Sequence, residues 1–324
     1  MKKFILPLLC ILLMLCSCDS GTENGKINIV TTMFPQYDFA RNIAGESANV
    51  ELLLDFGVDA HSYEPTPADI IKISRADLFI YTGDEMEIWV SDLLSSADVK
   101  KAIDSGSLTV VDLSAANGIE LLHMHDHAED EHNEHDEHDE HDEHDEHEGE
   151  HDTHIWTSTK NADAMCRAIA DALCKADPGN EALYKQNASA YCEKLSDINA
   201  DCKELISSAA CDTVYFGGSF AFRYLFSEIG ISHVSIYEGC SSHAEPSALD
   251  IAKMVDSIKE SGAKYILYDS PSEQKVALAI AEECGAEVLH LHAIHNITKA
   301  EFDAGEDYLS LMKKNIETLR KALS

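Results

Sequence analysis

Short apolar runs rich in β-branched side chains recur near residues 26–32 (KINIVTT), 49–54 (NVELLL), 77–81 (DLFIY) and 108–113 (LTVVDL). Runs of this length and makeup predict strands. Between them apolar positions recur at helical spacing, and strands alternating with helices predict βαβ units and a mainly parallel sheet. A helical pattern resumes at residue 161 and is interrupted by Asp177-Pro178-Gly179. Residues 180–207 then place Leu183, Tyr184, Ala188, Tyr191, Leu195 and Ile198 at the spacing of one long helix. A second alternating set follows, with strands near 213–216, 233–237, 265–268 and 287–291 and helices near 220–229, 247–261, 273–284 and 302–323. The pattern predicts an α/β protein of two lobes, each a small mainly parallel sheet flanked by helices, joined by one long rigid helix. The expected boundaries are 26–177 for the N-terminal lobe, 178–207 for the linking helix and 208–324 for the C-terminal lobe.

Two stretches stand outside this pattern. Met1-Lys2-Lys3 and the apolar residues 4–15 have the length of an export signal and fall short of a membrane-spanning helix. Leu15-Cys16-Ser17-Cys18 resembles a bacterial lipobox, with Cys18 as the lipidated residue and 19–25 as a polar tether. The expected location is extracytoplasmic, anchored to the cell membrane through Cys18. The other stretch, about 123–152, is a histidine-acid run in which His135, His138, His141 and His144 repeat every third residue. It has no apolar face to bury, so it is expected to be disordered without metal.

Charge narrows the function. The chain has 324 residues, 45% of them hydrophobic, and a formal charge of -35. Sixteen acidic residues lie between Asp126 and Asp152, which leaves -19 for the rest of the molecule. Nucleic acid, whose affinity for proteins rests on Lys and Arg neutralising phosphates, is excluded as a partner. Strong negative charge draws cations. The seven cysteines after Cys18 contain no CxxC pair, so a thiolate zinc knuckle has no support and most are expected to be small buried apolar residues. One or two disulfides remain open in an exported protein.

Imidazole nitrogen is a preferred ligand of zinc-like ions, and near neutral pH much of it is unprotonated. His61 lies in a loop between a predicted strand and a predicted helix, where parallel sheets place ligands. His154 follows the run, in His154-Ile155-Trp156, where Ile155 and Trp156 are expected to anchor it to the folded body. Trp89 and Trp156 read as packing residues, Glu85 and Glu87 as a solvated loop face. Gly217-Gly218 lacks the spacing of a phosphate loop.

With these residues in view the chain resembles the zinc/manganese ABC-transporter solute-binding lipoproteins, the group of high-affinity zinc uptake and metal-binding adhesin-type proteins. The resemblance covers nearly everything after Cys18. It is carried by residues 57–65 (GVDAHSYEP), Ala76-Asp77-Leu78 with residues 83–89 (GDEMEIW), His154-Ile155-Trp156, Asp177-Pro178 with Tyr184, and Ala244-Glu245-Pro246-Ser247. It implies two α/β lobes joined by one rigid helix, with the metal in the cleft between them.

In that family four side chains hold the ion. The resemblance places the first two on His61 and His154. The third position falls on Ser219, a poor ligand for a divalent transition metal, and the fourth, an acid in the family, falls on His292. The expected metal ligands are therefore His61, His154, His292 and His295, three residues further on. His290 is an alternative on the same strand face as His292, and His243 is a further candidate. A set this rich in imidazole favours Zn2+ over Mn2+. The run is expected to scavenge ions for His154, the competing reading being a solvated tract that keeps the protein soluble. The resemblance implies a monomer that delivers zinc to an ABC permease in the membrane, served by a cytoplasmic ATPase. A metal-dependent surface adhesin or metal-buffering protein is the alternative. A zinc hydrolase would need a general base beside metal-bound water, and the one HExxH match, residues 147–151 (HEGEH), falls in the low-complexity run rather than on a predicted helix.

Overall fold

A computed structural model describes residues 25–58, 60–123, 151–237 and 246–324. The export signal with Cys18, the tether up to residue 24, all but the edges of the histidine-acid run, Cys240 and His243 lie outside the described residues. The first lobe contains β1 (Ile27–Thr31), α1 (Phe34–Ala44), β2 (Ala48–Leu52), α2 (Pro67–Ser74), β3 (Leu78–Tyr81), α3 (Val90–Ser95), α4 (Ala97–Ser105), β4 (Thr109–Asp112) and α5 (Thr159–Ala176). Its strands pair in the order β2-β1-β3-β4, all parallel. α6 (Glu181–Ser208) leads to the second lobe: β5 (Thr213–Ser219), α7 (Arg223–Ile229), β6 (Ser232–Tyr237), α8 (Ala248–Ser261), β7 (Tyr265–Tyr268), α9 (Pro271–Cys284), β8 (Glu287–His290), α10 (Lys299–Asp303) and α11 (Tyr308–Ala322). Here the order is β6-β5-β7-β8, again parallel throughout. The expected two-lobed α/β architecture is the one observed.

The linking helix is locked where the sequence broke the helical pattern. Asp177 accepts hydrogen bonds from Asn180 Nδ2 and Tyr184 OH, both at 2.6 Å, and so fixes the turn from α5 into α6. Tyr184, Leu195, Ile198 and Cys202 are then buried along α6, but Leu183 is 38% exposed. Leu183 precedes Tyr184 by one position, about 100° around the helix, and only one of the two faces inward. Tyr191 OH donates to Asp38 Oδ2 (2.8 Å) and Asn187 Nδ2 to the Ile43 carbonyl (2.9 Å), which tie α6 to α1. A single apolar cluster, including Phe39, Trp156 and Tyr191 with Phe216, Phe226 and Tyr308, runs through both lobes. The link is a packed core element.

Two local expectations are corrected. The last helix is split: Gly305 takes φ +81, which ends α10, and Asp307 restarts the chain by accepting the Ser310 N–H (2.7 Å) at the head of α11. Glu85 is exposed, but Glu87 is 1% exposed and accepts from Thr32 Oγ1, Thr82 N and Gly83 N. The six described cysteines are free thiols, with Cys166, Cys192 and Cys202 buried. Gly217 and Gly218 make β5 smooth where α9 crosses it, since a Cβ on Gly217 would lie 2.7 Å from Ala277 Cα.

Burial lifts the carboxyls of Asp38 to about 6 and Glu87 to about 7, against the opposing effect of their hydrogen bonds. Both groups bind a proton more tightly in the folded chain than in the unfolded one, so their contribution to stability is full below the ordinary carboxylate range. It is lost as pH rises through 6 to 7. Metal-free protein is expected to melt at a lower temperature at pH 8 than at pH 5, and Glu87→Gln, which mimics the protonated acid, should shrink that difference. Thermal melts of both proteins in chelator across this range check it; an unchanged pH dependence in Glu87→Gln contradicts it.

Candidate metal centre

His61, His154, His292 and His295 lie in loops that follow strands of the two sheets, as expected at the carboxyl ends of parallel strands. After β2, His61 sits on one 3-10 turn, Ala60–Ser62, whose Ala60 is buried. The chain beyond it is fixed by a capping box at the start of α2. Asp69 Oδ2 accepts from Thr66 N (2.8 Å) and Thr66 Oγ1 (2.7 Å), and also from Tyr63 OH (2.9 Å). The chain before it is held by the other lobe. Gly57, at φ +78, donates its N–H to the Ile297 carbonyl (2.9 Å), and Asn296 Nδ2 donates to the carbonyls of Asp55 and Val58, both 2.8 Å.

His154 is 3% exposed and sits just before the 3-10 turn Ile155–Thr157. Trp156, fully buried, packs its ring edge-on to the imidazole at 5.3 Å between centroids. Its Nε1–H donates to the Ala293 carbonyl (2.7 Å), and Tyr308 OH donates to the Trp156 carbonyl (2.5 Å), so the anchor expected from Ile155 and Trp156 reaches into the second lobe. Asp152 orients the ring. One carboxylate oxygen accepts from the His154 backbone N–H (2.8 Å) and from ring Nδ1 (2.9 Å). Burial works against the charge of Asp152, but the facing imidazole, these two hydrogen bonds and the guanidinium of Arg223, 3.7 Å away, outweigh it and hold the carboxyl below its ordinary range. With Nδ1–H given to Asp152, the lone pair of His154 is on Nε2.

That nitrogen lies 3.3 Å from Nε2 of His61. Two nitrogens at the 2.0–2.1 Å bond length of zinc and at tetrahedral angles stand about 3.3–3.4 Å apart. The pair is thus spaced as one edge of a zinc coordination sphere.

The second lobe departs from expectation. β8 ends at His290, so the alternation that related His290 to His292 stops short of His292. His290 is exposed and bonds the Asp269 carbonyl through Nε2 (2.7 Å). His292 is built into its own lobe: Asn315 bonds its backbone N–H and carbonyl (2.8 Å each), Nδ1 accepts the Ile294 N–H (2.9 Å), and Nε2 lies 3.7 Å from Glu301 Oε1. The facing His292 imidazole is the main reason the Glu301 carboxyl falls to about 2. Nδ1 of His292 is thus taken up by a backbone N–H, and Nε2 faces the Glu301 carboxylate. Ser219 ends β5 half-buried, its N–H donating to Glu273 Oε1 (2.8 Å). Among the described residues no group of three or more His, Cys, Asp or Glu side chains is arranged around a common metal position.

His295 is differently placed. Its carbonyl accepts from Phe34 N (3.3 Å), just after β1, and its neighbours are the residues that clasp the first lobe: Ala293 holds Trp156, Asn296 and Ile297 hold residues 55–58. The segment is bent by Ile294 at φ 63, a region costly to a β-branched residue and sustained by the contacts on either side. His295 therefore lies between the attachments to the two histidine-bearing loops. Asp152, Arg223 and Tyr224, whose OH donates to the Asp152 carbonyl (2.5 Å), were not legible as site residues. The one available signal was the Asp-x-His spacing of residues 152 and 154, submerged in the acidic run.

Residues 29–322 match the family model described as ZnuA, zinc-uptake complex component A, periplasmic. Zinc-binding lipoprotein AdcA of Streptococcus pneumoniae is 34% identical over 323 residues, covering 99% of this chain and 61% of that protein. The chain thus spans about three fifths of the length of that relative. The high-affinity zinc uptake system protein ZnuA of Bacillus subtilis is 33% identical over 327 residues, covering 96% of this chain and 94% of that protein. Among solved structures, the Zn(II)-bound ZnuA-like domain of S. pneumoniae AdcA superposes with a TM-score of 0.73 at 30% identity, covering 92% of this chain and 99% of that one. The metal-dependent lipoprotein YcdH of B. subtilis gives 0.74 at 31% identity, with the same coverage of both chains.

Proposed function

Because the chain belongs to the ZnuA family of periplasmic zinc-uptake components, we propose that it captures zinc outside the cytoplasm and delivers it to an ABC permease. The observation that carries this reading is the pair of Nε2 atoms 3.3 Å apart, one of them oriented by a buried carboxylate. The chemistry of the donors agrees: neutral imidazole prefers zinc to manganese, whose sites are built of oxygen. The lipobox at Cys18 supports attachment to the membrane, where the permease and its ATPase would receive the ion.

We infer that the third ligand is His295 rather than His292. His295 belongs to the clasp between lobes, whereas the His292 ring is turned to its own lobe, with Nδ1 accepting the Ile294 N–H and Nε2 facing Glu301 at 3.7 Å. Ser219 contributes no imidazole or carboxylate, so the site is a three-imidazole one with room for a water. The test is zinc titration of His295→Ala and His292→Ala against a competing chelator. The first is expected to weaken binding about 100-fold, the second by no more than about threefold. The reverse order sinks the assignment.

A further inference from the structure

Asp152 does two things with its two oxygens. Oδ1 accepts both bonds from His154, the backbone N–H at 2.8 Å and ring Nδ1 at 2.9 Å. Oδ2 faces the guanidinium of Arg223, the first residue of α7 in the second lobe, whose Nε lies 3.7 Å away. That separation exceeds a hydrogen bond, so the contact is one of charge and does not steer the carboxylate. Other residues of α7 hold the segment. Tyr224 OH donates to the Asp152 carbonyl (2.5 Å) and accepts the Leu122 N–H (3.2 Å). Glu228 accepts from Ser158 Oγ and Thr159 Oγ1, both at 2.6 Å, at the head of α5. Residues 152–159 are thus fixed to the second lobe by bonds that Arg223 does not make. Asp152 is 2% exposed and the Arg223 side chain 14%. A fixed charge so poorly solvated acts strongly on its neighbours. The other groups near Asp152 are of the opposite sign, since it shares a cavity of about 250 Å³ with Asp84, Glu85 and Asp112, and no Lys or Arg lines it.

We propose that Arg223 sets the affinity of the site: its charge offsets that of Asp152 and keeps zinc at the His61–His154 pair more loosely held than the same ligands would otherwise hold it. The proposal rests on the zinc-binding reading above and deepens it. A carboxylate behind a ligating imidazole makes it a stronger donor, because the negative charge favours the electron density that His154 gives to a cation. With the guanidinium alongside, Asp152 and Arg223 together are close to neutral, and the guanidinium also repels the arriving dication. The same pairing stabilises the metal-free chain, where it supplies a buried carboxylate with a counter-charge. Stability of the empty site and grip on the ion are therefore set against each other. In a protein that hands its ion on, a grip below the maximum speeds release.

The full chain and three variants decide it. Arg223→Gln and Arg223→Met remove the charge, the second keeping an unbranched stem in the same space, and Arg223→Lys retains it. Affinity is read by competition with a chelator, release by stopped-flow mixing of loaded protein with excess chelator, and the metal-free state by thermal melts in chelator. Both charge-free variants are expected to bind zinc about tenfold more tightly and release it about tenfold more slowly, while their metal-free forms melt about 3–6 °C lower. Arg223→Lys should stay within about threefold of the parent Kd. A purely structural role would lower melting temperature and affinity together. Unchanged or weaker binding in either charge-free variant overturns the proposal, as does a gain in Arg223→Lys equal to theirs. Failure of both charge-free variants to fold without zinc makes Arg223 a structural residue and overturns it too. A parent chain with no tight zinc overturns the zinc-binding reading along with this one, whereas a tight parent site with no gain in the variants overturns this one alone.

Discussion

Replacing His61 with Ala is expected to raise the zinc Kd by about 1,000-fold while leaving the melting temperature of the metal-free protein within a degree or two. The ring is half-buried on a one-turn segment whose hold on the body comes from Ala60, Tyr63 and Asp69, so its removal costs binding and little packing. His154→Ala should lose a similar share of affinity and differ in stability. It takes away the partner of a buried carboxylate, and a buried group left short of hydrogen bonds costs about 1–3 kcal/mol. Asp152→Asn separates orientation from ligation. The His154 ring stays but its tautomer is no longer fixed, and affinity should fall about 10–100-fold, the usual cost of removing a carboxylate behind a ligating histidine. Chelator competition with parallel melts in the metal-free state reads all three. Equal stability losses in His61→Ala and His154→Ala, or full zinc affinity in either, contradict these roles.

The second large effect is expected at Trp156, a residue that touches no metal. Trp156→Ala should destabilise the metal-free protein by about 3–5 kcal/mol, the range for deleting a fully buried large aromatic side chain. It should also weaken zinc binding. The indole fills the core shared by both lobes, and its N–H to the Ala293 carbonyl ties the His154 loop to the segment that carries His295. Trp156→Phe keeps most of the apolar volume and removes that bond, so its cost should be about 1–3 kcal/mol, with the zinc affinity falling in step. Urea denaturation in chelator, followed by zinc titration of the variants that fold, measures both. Loss of stability without loss of affinity in Trp156→Phe would show that the bond to Ala293 plays no part in setting the site.

Much of this was legible in the chain because it depends on local pattern. Short β-branched runs alternating with helical spacing marked both parallel sheets, and Asp177-Pro178-Gly179 marked the entry to the linking helix. Motifs that include His61 and His154 pointed to one site although 93 positions separate them. What stayed hidden depends on contacts between distant segments. Glu87 looks like a surface acid in an acidic loop, and only the fold shows Thr32 reaching it from just beyond the end of β1. His292 looked like a strand residue because the apolar alternation continues through Leu291, whereas pairing stops at His290 and the chain turns at Ile294. The bonds that distinguish His295, from Asn296 to Asp55 and Val58, join positions about 240 residues apart in a 324-residue chain. No period in the sequence encodes such a pairing.

Whether His61 and His154 grip one ion together is decided by a crystal structure of the protein loaded with one equivalent of zinc, with anomalous data collected at the zinc edge. A single dominant peak is expected, bonded to Nε2 of His61 and Nε2 of His154 at about 2.0–2.1 Å, with His295 in the same sphere. A fully occupied zinc held elsewhere, with the two Nε2 atoms still facing each other and no metal between them, would contradict a shared site.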